Sequence, residues 1–127
     1  MLKSRKKVLI IDDEPMLTSV VKTNLEATGN FQVKYVNKAP LGLAMAREFQ
    51  PDIILLDILM PEIDGASLAR KLSQDKATKD IPIIFVTAVA KAKDVNATDG
   101  CIGGRPFVAK PFETNELIRA INNYLIK

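Results

Sequence analysis

Short, wholly apolar runs recur along the chain, and each is followed by a stretch in which apolar residues return every three or four positions. Val8–Ile11, Ile53–Leu56 and Ile83–Val86 contain no polar residue, which predicts strands buried on both faces at the centre of a sheet. Phe31, Val33 and Tyr35 alternate with Gln32 and Lys34, the pattern of a half-exposed edge strand. Pro106 opens a short last strand, Phe107–Ala109, acceptable if that strand is the opposite edge. Helical spacing appears in Pro15–Thr28 through Leu17, Val21 and Leu25, with Gly29 as the stop. Asn37 can cap a second helix carrying Leu41, Met45 and Phe49 and ended by Pro51. A third runs over about 64–75 with Leu68 and Leu72 inward, and a last over about 113–126 with Leu117, Ile121, Tyr124 and Leu125. The stretch 88–105 is the poorest in pattern, since Val95 and Ile102 are its only large apolar residues after Val89 and three glycines, Gly100, Gly103 and Gly104, oppose a long helix.

Strands alternating with helices over short connections imply a parallel sheet with right-handed crossovers and helices on both faces. Apolar strands one, three and four belong inside and strands two and five at the edges. The expected fold is therefore a doubly wound, five-stranded α/β domain of order 2-1-3-4-5, a flavodoxin-like (βα)5 arrangement, over residues 1–127. Its switch point lies between strands one and three.

Composition narrows the chemistry. A hydrophobic fraction of 47% with 26% charged residues in 127 residues suits one soluble globular domain. No apolar run approaches the roughly 18 residues of a membrane span, and Val8–Ile11 is too short for a signal-peptide core. Residues 1–6 read as a solvated basic arm that accounts for much of the net charge of +3, so the charge is a weak pointer to nucleic acid. The single cysteine, Cys101, excludes an internal disulfide and suits a reducing, cytoplasmic location. Histidine is absent, which removes His-based triads, His general bases and the usual zinc sites.

Carboxylates, hydroxyls and lysine remain, and they stand at strand ends. Asp12 and Asp13 follow strand one, Asp57 strand three, Thr87 strand four and Lys110 strand five. A parallel sheet opens all these ends on one edge, so scattered residues converge. Alone, Asp12 and Asp13 could cap the helix that begins at Pro15, and Asp57 could be a polar strand terminus; their joint occurrence with Thr87 and Lys110 favours a site. Three carboxylates within about 4 Å repel by roughly 4 kcal/mol per pair at an effective dielectric near 20. Mg²⁺, which takes hard oxygen ligands and keeps several waters, is the natural compensation. Asp57 is then the best nucleophile toward a phosphoryl group, with Lys110 as a point charge and Thr87 as a hydroxyl donor.

On these residues the whole chain resembles a response-regulator receiver domain of two-component signalling. The resemblance rests on Asp12 and Asp13, on Asp57 within Asp57-Ile58-Leu59-Met60-Pro61-Glu62-Ile63-Asp64-Gly65, on Thr87-Ala88 and on Lys110-Pro111-Phe112. It implies Mg²⁺ held by Asp13, Asp57 and the Leu59 carbonyl, with Asp12 acting through water, and a cis Lys110–Pro111 bond. It implies a signalling phosphoacceptor that catalyses only its own phosphorylation and slow dephosphorylation. The donor would be a phosphohistidine on a sensor histidine kinase or a histidine phosphotransfer protein. Thr87 and Phe107 would switch the conformation toward a downstream protein partner, with Phe107 standing where tyrosine is commoner. Met16 and Val20 on the first helix, with Pro111 and Phe112, would dock the kinase. Leu59 and Val89, two residues after Asp57 and Thr87, are apolar and would leave an attacking water unoriented, so a long phosphoryl lifetime is expected. No nucleic-acid or membrane contact is expected of this domain, which would be a monomer or a weak phosphorylation-dependent dimer.

Other readings fit less well. A haloacid-dehalogenase-like phosphatase wants Asp-x-Asp after its first strand, where this chain has Asp12-Asp13-Glu14. A flavodoxin-like flavin binder wants a Ser/Thr/Gly-rich phosphate loop at that place. A phosphorylation-independent binding module would usually lack one of the acidic, Thr or Lys residues present here. Both a stand-alone receiver and a receiver from a longer regulator or hybrid kinase remain open.

Overall fold

The structure is a computed structural model that describes residues 4–88, 101–102 and 105–125, with the backbone alone for 101–102. In chain order it contains β1 (Lys6–Ile11), α1 (Pro15–Ala27), β2 (Phe31–Val36), a 3-10 turn (Ala39–Leu41), α2 (Gly42–Phe49), β3 (Ile53–Asp57), α3 (Gly65–Gln74), β4 (Ile83–Ala88), β5 (Cys101–Ile102), β6 (Arg105–Lys110) and α4 (Thr114–Leu125). The sheet order is β2-β1-β3-β4-β6-β5. Its five longer strands are parallel and reproduce the expected 2-1-3-4-5 order, with β6 as the fifth. The two-residue β5 is an addition. It runs antiparallel to β6, pairing Ile102 with Arg105 and Cys101 with Pro106, so the start of the fifth strand is not a free edge.

Burial follows from the period-two geometry of the strands. Val8 and Ile10 of β1 point into one core, beneath α1 and α4, with Val21, Leu25, Leu117 and Ile121. Leu9 and Ile11 point into the other, beneath α2 and α3, with Phe49, Leu56, Leu68 and Leu72. Each fully buried aliphatic side chain contributes about 1.5–3 kcal/mol, so an all-apolar strand at the sheet centre stabilises both layers at once. Among the described residues no helix is long and apolar enough to cross a membrane.

Three details differ from the sequence reading. Tyr35 does not continue the buried alternation of Phe31 and Val33: it is 36% exposed, and Val36 is buried in the opposite core instead. An edge strand has a neighbour on one side only, so a side chain there is covered only where a helix overlies it. Second, Asn37 caps no helix. Pro40 lies in the 3-10 turn, and α2 begins at Gly42, burying Gly42, Ala46 and Phe49 while Leu41 stays 54% exposed. A Cβ on Gly42 would sit 2.9 Å from Ile11 Cδ1, so the missing side chain permits the close approach of α2 to β1. Third, Lys6, which the sequence reading placed in the basic arm, belongs to β1.

The free edge of β2 is partly closed. Carbonyls of Asn30 and Val36 accept from β1 and its extension, so the backbone N–H of Val33 points away from β1, and it donates to Glu26 Oε2 at 3.0 Å. Gly29, with φ +81°, provides the left-handed turn that returns the chain from α1 to β2.

Candidate functional site

The strand register brings the polar termini together. Asp57 pairs with Val86, Thr87 with Ala109, and Ala88 with Lys110. Asp12 follows β1, the other neighbour of β3, and its amide donates to Val36 O at 3.2 Å. Local bonds then orient the carboxylates. The Glu14 amide donates to Asp12 Oδ1 at 3.0 Å, and the Leu59 amide donates to Asp57 Oδ1 at 3.3 Å. Both are side-chain turns that aspartate forms readily. The loop after Asp57 is pinned by α3. Gly65 donates its amide to Ile58 O at 2.7 Å, and a Cβ there would lie 2.6 Å from Ile58 Cα, so only glycine permits that contact. Asp64 caps the helix by accepting from the Ser67 amide. Ile58 and Met60 are buried on either side of Leu59, which is 55% exposed.

The outcome is a dense acidic cluster. Carboxylate oxygens of Asp12, Asp13 and Asp57 lie within 4.8 Å of one another. Lys110 Nζ sits 2.7 Å from Glu14 Oε1, 2.9 Å from Asp12 Oδ2 and 3.8 Å from Asp57 Oδ2. An open cleft of about 250 Å³ is lined by Asp13, Glu14, Asp57, Leu59, Ala88 and Lys110. Asp12 and Asp57 are buried, whereas Asp13 is half-exposed and Glu14 exposed. Burial, reinforced by the Asp12 charge and opposed by Lys110, pushes the Asp57 carboxyl up to about 6. Burial also raises Asp12 against the pull of Lys110. Burial alone would lower Lys110, but hydrogen bonds to Glu14 and Asp12 outweigh it and hold the ammonium above the ordinary lysine range. Four acids against one lysine leave an excess of negative charge that suits a divalent cation with oxygen ligands.

Thr87 is completely buried, and its hydroxyl has no hydrogen-bond partner among the described residues. Such a group typically costs about 1–3 kcal/mol, so a donor held there unsatisfied fits an incoming acceptor. The Lys110–Pro111 bond is cis. Phe107 is half-buried and packs against the core beneath α2 and α3, away from the cleft. Met16 and Val20 are 82% and 53% exposed. Pro111 and Phe112 line a neighbouring depression of about 330 Å³ with Glu14, Leu17 and Lys110. Val89 lies outside the described residues. Glu14 went unassigned in the sequence reading although it provides the shortest contact to Lys110; its position directly after the acidic pair was the available signal. Thr18, which accepts from Asn37 behind Asp12, carried no sequence signal of its own, and the signal at Asn37 pointed to a helix cap rather than to this bond.

A family model described as the response regulator receiver domain matches residues 8–122. The DNA-binding dual master transcriptional regulator RpaA of Synechocystis is 33% identical over 94% of this chain and 48% of its own length. The chain likewise spans about half the length of the other regulators matched beside it. Protein PilH of Pseudomonas aeruginosa is 34% identical over 94% of this chain and 97% of its own. Among solved structures, the receiver domain of the Pseudomonas aeruginosa sensor histidine kinase PA1611 superimposes with a TM-score of 0.82 at 26% identity, over 98% of this chain and 100% of that one. That receiver carries a magnesium ion coordinated in its active-site cleft.

Proposed function

This chain belongs to the response regulator receiver domain family, and on that premise we propose that it accepts a phosphoryl group on Asp57. The donor is a phosphohistidine of a sensor histidine kinase or a histidine phosphotransfer protein. One Asp57 oxygen forms the new O–P bond as the N–P bond of the donor breaks, and the imidazole nitrogen leaves with the electron pair. With a pKa of about 6, Asp57 is mostly ionised, and so nucleophilic, above neutral pH. Lys110 exchanges its contacts to Glu14 and Asp12 for a phosphoryl oxygen, and Thr87 donates its hydroxyl to another. Asp12, Asp13, Asp57 and the Leu59 backbone carbonyl are the groups that would hold Mg²⁺. Bound there, the ion supplies neutralising charge to the carboxylates and to the transferred group. Thr87 and Phe107 then carry the change to a protein partner; no contact with nucleic acid is assigned to this domain.

The observation that carries this reading is a single crevice holding three carboxylates, Lys110 and, one strand away, a buried hydroxyl with no partner among the described residues. Acetyl phosphate with Mg²⁺ tests it without a cognate kinase. Intact-mass spectrometry should show one phosphoryl adduct on the wild type and none on Asp57→Asn. An undiminished adduct on that variant would refute the assignment.

A further inference from the structure

Behind the acidic cluster lies a hydrogen-bonded bridge that takes no part in the phosphoryl chemistry. Asn37, in the connection after β2, uses both hydrogens of its side-chain amide. One bond runs to the backbone carbonyl of Asp12 at 2.9 Å and the other to Thr18 Oγ1 at 2.9 Å. Thr18 is completely buried in the first turn of α1, and its hydroxyl donates to Pro15 O at 3.1 Å, with Glu14 O at 3.4 Å. Asn37 thereby ties the two ends of the bend 12–18, the segment that presents Asp12, Asp13 and Glu14. The Asp12 amide, donating to Val36 O, fastens the same segment to the same strand end.

This bridge opposes a specific force. The Asp12 and Asp13 carboxylates repel Asp57, and the bend that bears them lies beyond the end of β1, in the connection to α1. A buried apolar residue at position 18 would fill the core without introducing a hydroxyl that must be satisfied. The side chain present is instead hydrogen-bonded on both its donor and its acceptor side. We propose that Thr18 and Asn37 are positioning residues for the acidic site, holding Asp12 and Asp13 in convergence so that the carboxylates are preorganised for a divalent cation. The proposal rests on the metal-assisted reading above. Its reach is the cation affinity: outer bonds that orient ligands commonly govern about a 10-fold to 100-fold range of metal binding.

Calorimetric titration with Mg²⁺ alone, paired with urea unfolding in EDTA, separates positioning from plain structural support. Thr18→Val, close in shape but without the hydroxyl, should weaken Mg²⁺ binding about ten-fold, and Asn37→Leu should do the same. Thr18→Ser should restore near wild-type affinity. Asn37 is only half-buried, so its variant keeps the test alive if Thr18→Val does not fold. A lowered urea midpoint with unchanged Mg²⁺ affinity in both variants would overturn the proposal by reducing the bridge to a fold-stabilising contact. Failure of the wild type itself to bind Mg²⁺ would overturn the metal-assisted reading and this proposal with it, an outcome distinct from equal binding by all variants.

Discussion

Replacing Asp57 with asparagine removes the only described carboxyl whose pKa burial drives as far as about 6 from the ordinary 3.8. Asp57 is 5% exposed, so solvent does little to screen the effect. The difference of about two pKa units corresponds to about 3 kcal/mol, at 1.36 kcal/mol per unit. A raised carboxyl contributes stability that is fully present below pH 3.8 and lost as pH rises through about 6. Asparagine cannot ionise and loses nothing over that window. In EDTA the variant should therefore exceed the wild type by about 1.5 kcal/mol at pH 5 and by about 3 kcal/mol at pH 7.5. Urea unfolding followed by far-ultraviolet circular dichroism across pH 5 to 8 measures this directly. Adding 10 mM Mg²⁺ should narrow the gap at pH 7.5 by about 1.4 kcal/mol if the dissociation constant is about 1 mM. A gap that does not change with pH, or a variant less stable than the wild type at pH 7.5, would refute the account of Asp57 as a strained anion.

Two further outcomes follow from the same geometry. Leu59 stands exposed at the mouth of the cleft and cannot hydrogen-bond a water in line with the Asp57–phosphoryl bond; the phosphorylated wild type should persist for many minutes, and Leu59→Asn should shorten that several-fold, whereas a wild-type lifetime of seconds without a phosphatase would contradict the assignment. Met16→Lys should slow transfer from the cognate kinase several-fold while leaving phosphorylation by acetyl phosphate untouched, and equal kinase transfer would remove Met16 from the docking surface.

The sheet centre was legible because Val8–Ile11, Ile53–Leu56 and Ile83–Val86 admit no other economical burial. The acidic site was legible for a related reason: a parallel order sends Asp12, Asp57, Thr87 and Lys110 to one edge whatever the loops do. Contacts decided by close approach were not legible. Periodicity pointed to Leu41, Met45 and Phe49, but the Gly42 contact with Ile11 turns the buried face of α2 to Gly42, Ala46 and Phe49. Asn37 has the chemistry of a cap, yet its amide found a carbonyl and a hydroxyl across the chain. Composition cannot choose between those uses, since both satisfy the same donors. The hold of Glu14 on Lys110 depends on a turn geometry that spacing alone does not specify.

The carboxylate of Glu26 on the Val33 amide bears on how signalling chains of this shape are kept apart. A strand edge recognises backbone, and backbone is the same in every polypeptide, so pairing through β2 would be blind to identity. With the outward donor at Val33 answered from its own helix, a visiting strand must evict an anion before it gains a bond. Recognition is thereby left to helix faces and loops, where side chains differ from one chain to the next. One intramolecular bond at the margin of the sheet thus narrows an indiscriminate route of contact and leaves open those that sequence divergence can tune.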